Sequence, residues 1–472
     1  MENKKNNKYT LTPLGKMVAF ILAAVVMVTV ICLLASVTNG SDNKDSSIAQ
    51  ENSVESVDQS SESSVVDETE QQPDIQVSLQ KASDIRIHDG ITALITDYTK
   101  ARYTALGNLE MTELDGYFDA DSIQGRVYAG VNSATLDYLI YVRKNRAADL
   151  SFKNAEISIS VTDVQSEADG YVIEYYIDDA VSFSFTDTVS YSYNMMMQAK
   201  VTRNEEGKFL FTELTEDTDT FLLFEKPVVE AFGYDYSEYD LNQLSFPEEF
   251  DGESEIEGVL KALKLQADKD ILSQRQSLEG YNANPGSAKE TMTADNQYDR
   301  EKAVAYSYKW ISDNGPARNP EFTDYAEYGG NCQNYVSQCI LAGGVPMDYI
   351  GEYEAQWKWY GEEINVYEEQ AGRSGAWAGT EYFYNYCIVN TGFGLVAQTD
   401  MNIFAAKPGD VMQYVVDGWT KHSVVVSKII RDNSGNVVEI LVNSNTTDRK
   451  DFPLTAYGYT DIRLIRIIGY NN

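Results

Sequence analysis

The chain has two histidines, His88 and His422, and four cysteines, Cys32, Cys332, Cys339 and Cys387. Any reaction that needs an imidazole must use one of those two positions. Cys32 lies in an apolar run near the N-terminus, which leaves three thiols for chemistry. No C-x-x-C pair, H-E-x-x-H motif or finger spacing occurs, so neither a metal nor a cofactor is expected. Cys332 follows Gly329-Gly330-Asn331 and opens CQNYVSQCILA, a helix that should stop at Gly343-Gly344, before Pro346. A cysteine in the first turn of a helix sits where unpaired N–H groups favour negative charge. The thiolate, which is the reactive form, is stabilised there. The glycines allow close backbone approach, and an N–H near Cys332 can face a developing oxyanion. Cys339 shares an apolar face with Val336 and Ile340 and reads as a core residue. Seven residues of helix rise about 10.5 Å, beyond the ~7 Å reach of a disulfide, so Cys332 and Cys339 cannot bridge.

The histidine that could serve Cys332 lies in an antiparallel meander, read as strands over Val411–Val416, His422–Ile430 and Val437–Asn445. A four-residue turn, Asp432–Gly435, sets Arg431 opposite Asn436. That register pairs Lys428 with Glu439, Ile429 with Val438 and Val425 with Val442, all favourable cross-strand neighbours. It also sets His422 opposite Asn445, with Cβ atoms about 4.5–5.5 Å apart. A slip of one residue would send the two side chains to opposite faces. The expected site is Cys332 as nucleophile, His422 as base and Asn445 as the residue that orients it. His88, ahead of the first helix, reads as a surface or capping residue.

Several of these segments together resemble a known family. They are GGNCQNYVSQCILAGG, the preceding helix YDREKAVAYSYKW, the SGAW at Ser374–Trp377, and KHSVVV followed by NTTDR. They are similar to the bacterial family named "putative amidase domain", related to the NlpC/P60 and CHAP cysteine hydrolases, from about Tyr298 to the C-terminus. The resemblance implies an α+β, papain-like domain with the cysteine helix packed on an antiparallel sheet. Carried over by position, it implies the same three residues, Cys332, His422 and Asn445. Two positions depart from the family, which more often has Asp where Asn331 stands and His where Asn445 stands. Trp357, Trp359, Tyr360, Trp377 and Tyr382 form a dense aromatic stretch. Most belong in a core, while Trp357, Trp359 and Trp377 are candidates to line a substrate groove.

Upstream lie the elements that must deliver this domain to its substrate. The run from Met17 to about Val37 holds roughly 20 uncharged residues, enough to span a bilayer. Lys4, Lys5, Lys8 and Lys16 precede it and an acidic tract follows, so the N-terminus is expected inside and the rest extracytoplasmic. A cleaved signal peptide would have a shorter apolar core and a small-residue cleavage site. Ile31 before Cys32 does not suit a lipoprotein. An uncleaved anchor over residues 17–38 is therefore expected, with a solvated Ser- and acid-rich linker over 39–83. Residues 84–230 read as a small α+β domain with two helices followed by a strand meander, an order that resembles NTF2-like domains. Residues 231–296 read as a connector with one helix, and 297–472 as the hydrolase domain.

The formal charge of −36, from 73 acidic and 37 basic residues, argues against nucleic acid and anionic lipid surfaces as partners. Aromatic residues make up 12% of the chain, including 33 tyrosines, enough to bury substantial cores. The expected function is membrane-anchored hydrolysis of an amide in cell-wall peptidoglycan or a peptide, through an acyl-enzyme. The alternative is a surface binding module that kept the fold while its catalytic site decayed.

Overall fold

The computed structural model describes residues 72–231, 252–311, 318–326, 329–352, 355–361 and 372–472. The expected anchor at residues 17–38 lies outside them, as does the linker up to residue 71. Among the described residues no helix is long and apolar enough to cross a membrane.

The first unit begins earlier than the sequence suggested. Asp74–Lys81, read as linker, forms strand β1, which pairs in parallel with β2 (Phe152–Ser166) from Asp74↔Asn154 to Lys81↔Val161. Its alternation DIQVSLQK carries too few apolar residues to stand out from the polar tract, but strand pairing satisfies its backbone. Helix α1 (Asp89–Asn108) follows, capped by His88, whose Nδ1 accepts from the Gly90 amide at 3.0 Å. Helix α2 (Ile123–Lys144) starts at a Ser122 cap. The meander β2, β3 (Tyr171–Phe183), β4 (Val189–Arg203) and β5 (Phe209–Glu216) then forms a curved sheet beneath the helices. Helix α3 (Asp219–Ala231) closes this unit.

Helix α4 (Glu253–Ala283) acts as a strut. It packs on α2, and its polar residues reach the C-terminal unit: Asn282 Nδ2 donates to the Val437 carbonyl at 3.0 Å, and Ser277 O accepts from Asn402 at 2.9 Å.

In the C-terminal unit, β6 (Asn296–Gln297) leads into α5 (Arg300–Lys309), capped by Asp299. Helix α6 (Cys332–Ala342) follows, then β7 (Trp359–Gly361), β8 (Gly372–Arg373), α7 (Gly375–Ala378) and α8 (Thr380–Val389). The chain then enters strands β9 (Gly394–Gln398), β10 (Val411–Val416), β11 (Trp419–Arg431), β12 (Val437–Ser444), β13 (Asp448–Pro453) and β14 (Asp461–Asn471).

The two units share one sheet. Its order is β1-β2-β3-β4-β13-β12-β11-β10-β14-β6, with β5 also on β4 and β9 also on β14. The seam is antiparallel, with Asp448↔Tyr193, Arg449↔Ser192 and Lys450↔Tyr191. A core runs along one face of this sheet through both units, from Ile95 and Phe183 to Met412, Val424, Val426 and Tyr457. A second core lies on the other face of the C-terminal strands, where Val411, Val425 and Ile465 meet Val336 and Cys339 of α6 and Trp357 and Trp377. Burial of this apolar area on both faces is the main stabilising term.

Candidate active site

Cys332 is the first residue of α6, as its position after Gly-Gly-Asn suggested, and it is buried. Gly329 and Gly330 have φ of 106° and 117°, a region closed to most side chains, which lets the loop turn sharply into the helix. None of Cys332, Cys339 and Cys387 is in a disulfide. Burial pushes the thiols of Cys339 and Cys387 well above their usual range, as befits inert core residues.

Two amides stand at the start of this helix. Asn331 Nδ2 donates to Asn445 Oδ1 at 2.7 Å, and Asn331 Oδ1 accepts from the Tyr325 amide at 3.1 Å and from Asn334 Nδ2 at 2.8 Å. Asn445 Nδ2 donates to the Trp310 carbonyl at 3.3 Å. The Asn331 amide donates to Thr446 Oγ1 at 2.8 Å. Thr446 has φ of 118°, a genuine outlier for a β-branched residue, which the surrounding bonds must hold in place. Asn331 and Asn445 are 2% and 1% exposed, so the hydrogen bond between them is made away from water. A cleft of about 220 Å³, counting its open mouth, runs beside them between Trp310, Phe322 and Tyr335.

His422 does not join this group. Tyr414 pairs with His422, Met412 with Val424 and Val411 with Val425, so His422 shares a sheet face with Val424 and Val426. That face belongs to the first core. The imidazole stacks on Tyr414 at 6.0 Å and lies against Tyr457 at 5.9 Å between ring centroids. Helix α6 packs on the opposite face, with Val425. Burial, with the nearby Arg449 guanidinium, pushes the His422 pKa down to about 3, so it is neutral at physiological pH.

The expected His422–Asn445 pair fails on register. Asp432 N donates to Asn436 O at 2.9 Å and Arg431 pairs with Val437, because Gly435, at φ of 87°, forms a bulged turn with one more residue than assumed. The strands then pair Val425 with Asn443 and Val426 with Val442, one step from the expected register, and a second bulge gives Lys428↔Leu441. A one-residue slip reverses faces. Asn443 takes the α5 side, donating to Ser307 Oγ at 2.9 Å, and Asn445 follows it.

The three tryptophans proposed to line a groove pack inside the second core. Trp357 and Trp377 are fully buried and 5.1 Å apart between centroids; Trp359 is 9% exposed against Phe322. Their N–H groups serve the cysteine helix, Trp357 Nε1 donating to Ser337 Oγ at 3.0 Å and Trp377 Nε1 to Asn334 Oδ1 at 2.7 Å. Asn334, Thr446 and Trp310 had carried no signal in the sequence, because their roles come from the loop and sheet meeting in space. Among the described residues, no cluster of His, Cys, Asp and Glu could hold a metal ion.

The C-terminal unit is thus a cysteine-bearing helix packed on an antiparallel sheet, with polar residues from the strand ends at its N-terminus. Residues 297–468 match the family described as "Putative amidase domain". The chain is also similar to "Uncharacterized protein YhbB" of Bacillus subtilis (strain 168), at 30% identity over 156 residues, which is 33% of this chain and 43% of that protein. The chain thus spans less than half the length of that relative. No solved structure matches the chain. The family match supports hydrolase activity in the C-terminal unit.

Proposed function

We propose that the C-terminal unit is an amide hydrolase that uses Cys332 as its nucleophile. The supporting observation is the placement of Cys332 at the first position of α6, where the helix N-terminus favours a thiolate, beside the buried Asn331–Asn445 pair. The thiolate would attack an amide carbonyl, the amine would leave with a proton taken from solvent, and water would then split the thioester, freeing the acid and returning the thiol. Backbone N–H groups of the first turn would take up the negative charge on oxygen. Asn445 orients Asn331 and the turn, while His422 contributes to the fold and not to proton transfer. The substrate is an amide of cell-wall peptide or another peptide, and the apolar, Lys-flanked run at residues 17–38 anchors the chain with its folded units outside the cell.

A second reading has one specific observation in its favour. Asn331, the residue before Cys332, bonds to a second amide, Asn445, and the imidazole of His422 lies on the other face of the sheet. On that reading the unit binds a peptide carbonyl without cutting it.

The deciding experiment is the pH dependence of Cys332 alkylation in wild type and His422→Ala. Rapid alkylation near neutral pH, equal in both proteins, supports the hydrolase with its helix-stabilised thiolate. A midpoint near that of a free thiol, about 8.5, overturns it and leaves the binding module. A rate that falls in His422→Ala overturns the assignment of His422 to the fold alone.

A further inference from the structure

On the sheet face opposite Cys332, a cavity with an empty volume of about 770 Å³, its mouth included, lies between the two units. Its walls are apolar, with Phe152, Phe183 and Phe452 among them, yet five charged side chains also line it. Buried charges are costly unless paired, so their pairing is informative. Arg102 is bonded to Glu216, and these two cancel. Tyr103 Oη donates to Asp179 Oδ2 at 2.7 Å, but Asp179 Oδ1 has no hydrogen-bond partner, although the residue is only 8% exposed. The Ser192 hydroxyl, across the strands from Asp179, makes no hydrogen bond of good geometry but lies close enough to favour the ionised carboxylate.

The two remaining cations have no carboxylate of their own. Arg143, 8% exposed, spends Nε on the Ala456 carbonyl at 3.0 Å. Arg449 stacks over Phe452 and Tyr457, at 4.3 and 4.9 Å from their centroids, and forms no salt bridge among the described residues. Burial and the Arg449 charge push the Arg143 pKa down to about 10, and burial pushes the Asp179 carboxyl up. Two guanidinium groups and one carboxylate with a vacant acceptor oxygen therefore face an apolar chamber.

We infer that this chamber is a ligand site for a small carboxylate with an apolar body and an N–H donor, the chemistry of an amino acid or of a peptide's C-terminal residue. The ligand carboxylate is held by Arg143 and Arg449, its N–H group donates to Asp179 Oδ1, and its apolar part lies among the phenylalanines. Arg449 comes from β13 of the C-terminal unit and the other two from the first unit, so both units build the site. It is separate from Cys332 and does not rest on the proposed hydrolysis.

Calorimetric titration of the full chain with L-phenylalanine, 3-phenylpropionate and 2-phenylethylamine tests this. L-phenylalanine should bind with a Kd of about 1 mM or tighter, and 2-phenylethylamine should not bind. Asp179→Asn, which keeps the side-chain shape, should weaken L-phenylalanine about tenfold and leave 3-phenylpropionate unchanged, since a hydrogen bond to a charged group is at stake. Arg449→Met should weaken both carboxylates about tenfold. No binding of L-phenylalanine at about 10 mM, equal binding of 2-phenylethylamine, or affinities unaltered by Asp179→Asn would overturn the inference. The wild-type comparison decides the matter even where Arg449→Met does not fold.

Discussion

The side chains of Asn331 and Asn445 meet at 2.7 Å at the start of the cysteine helix, one from the turn before Cys332 and the other from the end of β12. The pair joins the helix to the sheet. Asn445→His would introduce an imidazole on the same face of the sheet as α6. The alkylation rate of Cys332 at pH 7 should then rise about tenfold or more, through a larger thiolate fraction. An unchanged rate would mean that position 445 does not communicate with the thiol.

His422 is neutral and enclosed when folded, with a pKa near 3, and rejoins the ordinary range near 6.5 on unfolding. The unfolded chain therefore binds the extra proton between those values, so stability should fall as pH drops below about 6.5 and be flat above it on this residue's account. The loss between pH 7 and pH 5 is roughly 2 kcal/mol. Urea denaturation at the two pH values should show that loss in wild type and a smaller one in His422→Gln.

Trp377 fills the second core and its Nε1 donates to Asn334 Oδ1, which in turn fixes the turn beside Cys332. Trp377→Ala should cost about 3–5 kcal/mol by large-to-small substitution. A thermal melt that barely moves would show that the residue is not a core anchor.

Gly330 tests the turn rather than the core. A Cβ there would find room, its nearest neighbour being Thr446 Oγ1 at 3.6 Å, but φ of 117° is closed to alanine. Gly330→Ala should therefore cost about 1–3 kcal/mol, and it should shift Cys332 alkylation. Denaturation and labelling of the same variant distinguish a strained turn from an indifferent one.

Much of this arrangement was legible in the residues. Strand and helix periodicities marked most elements, and His88 caps the first helix, one of the two roles read for it. The Gly-Gly-Asn-Cys run marked the start of α6. Register was not legible, because apolar residues crowd both faces of β11 and β12 and two bulges offset the pairing without changing the hydrophobic pattern. In a strand buried on both faces, Val424 and Val425 look alike in sequence yet belong to different cores. The first strand was missed for the opposite reason, since its polar residues blend into the acidic tract.

The seam between β4 and β13 carries a further consequence for anyone cutting the chain. A fragment beginning at Tyr298 would retain Cys332 but strip β13 of its neighbour, leaving the backbone from Asp448 to Lys450 as an open edge. Such an edge is a template for unwanted association. It would also expose half of a shared core, including Phe452 and Tyr457. Low yield or clumping of that fragment would then reflect a missing neighbour, not a defect in the C-terminal unit itself.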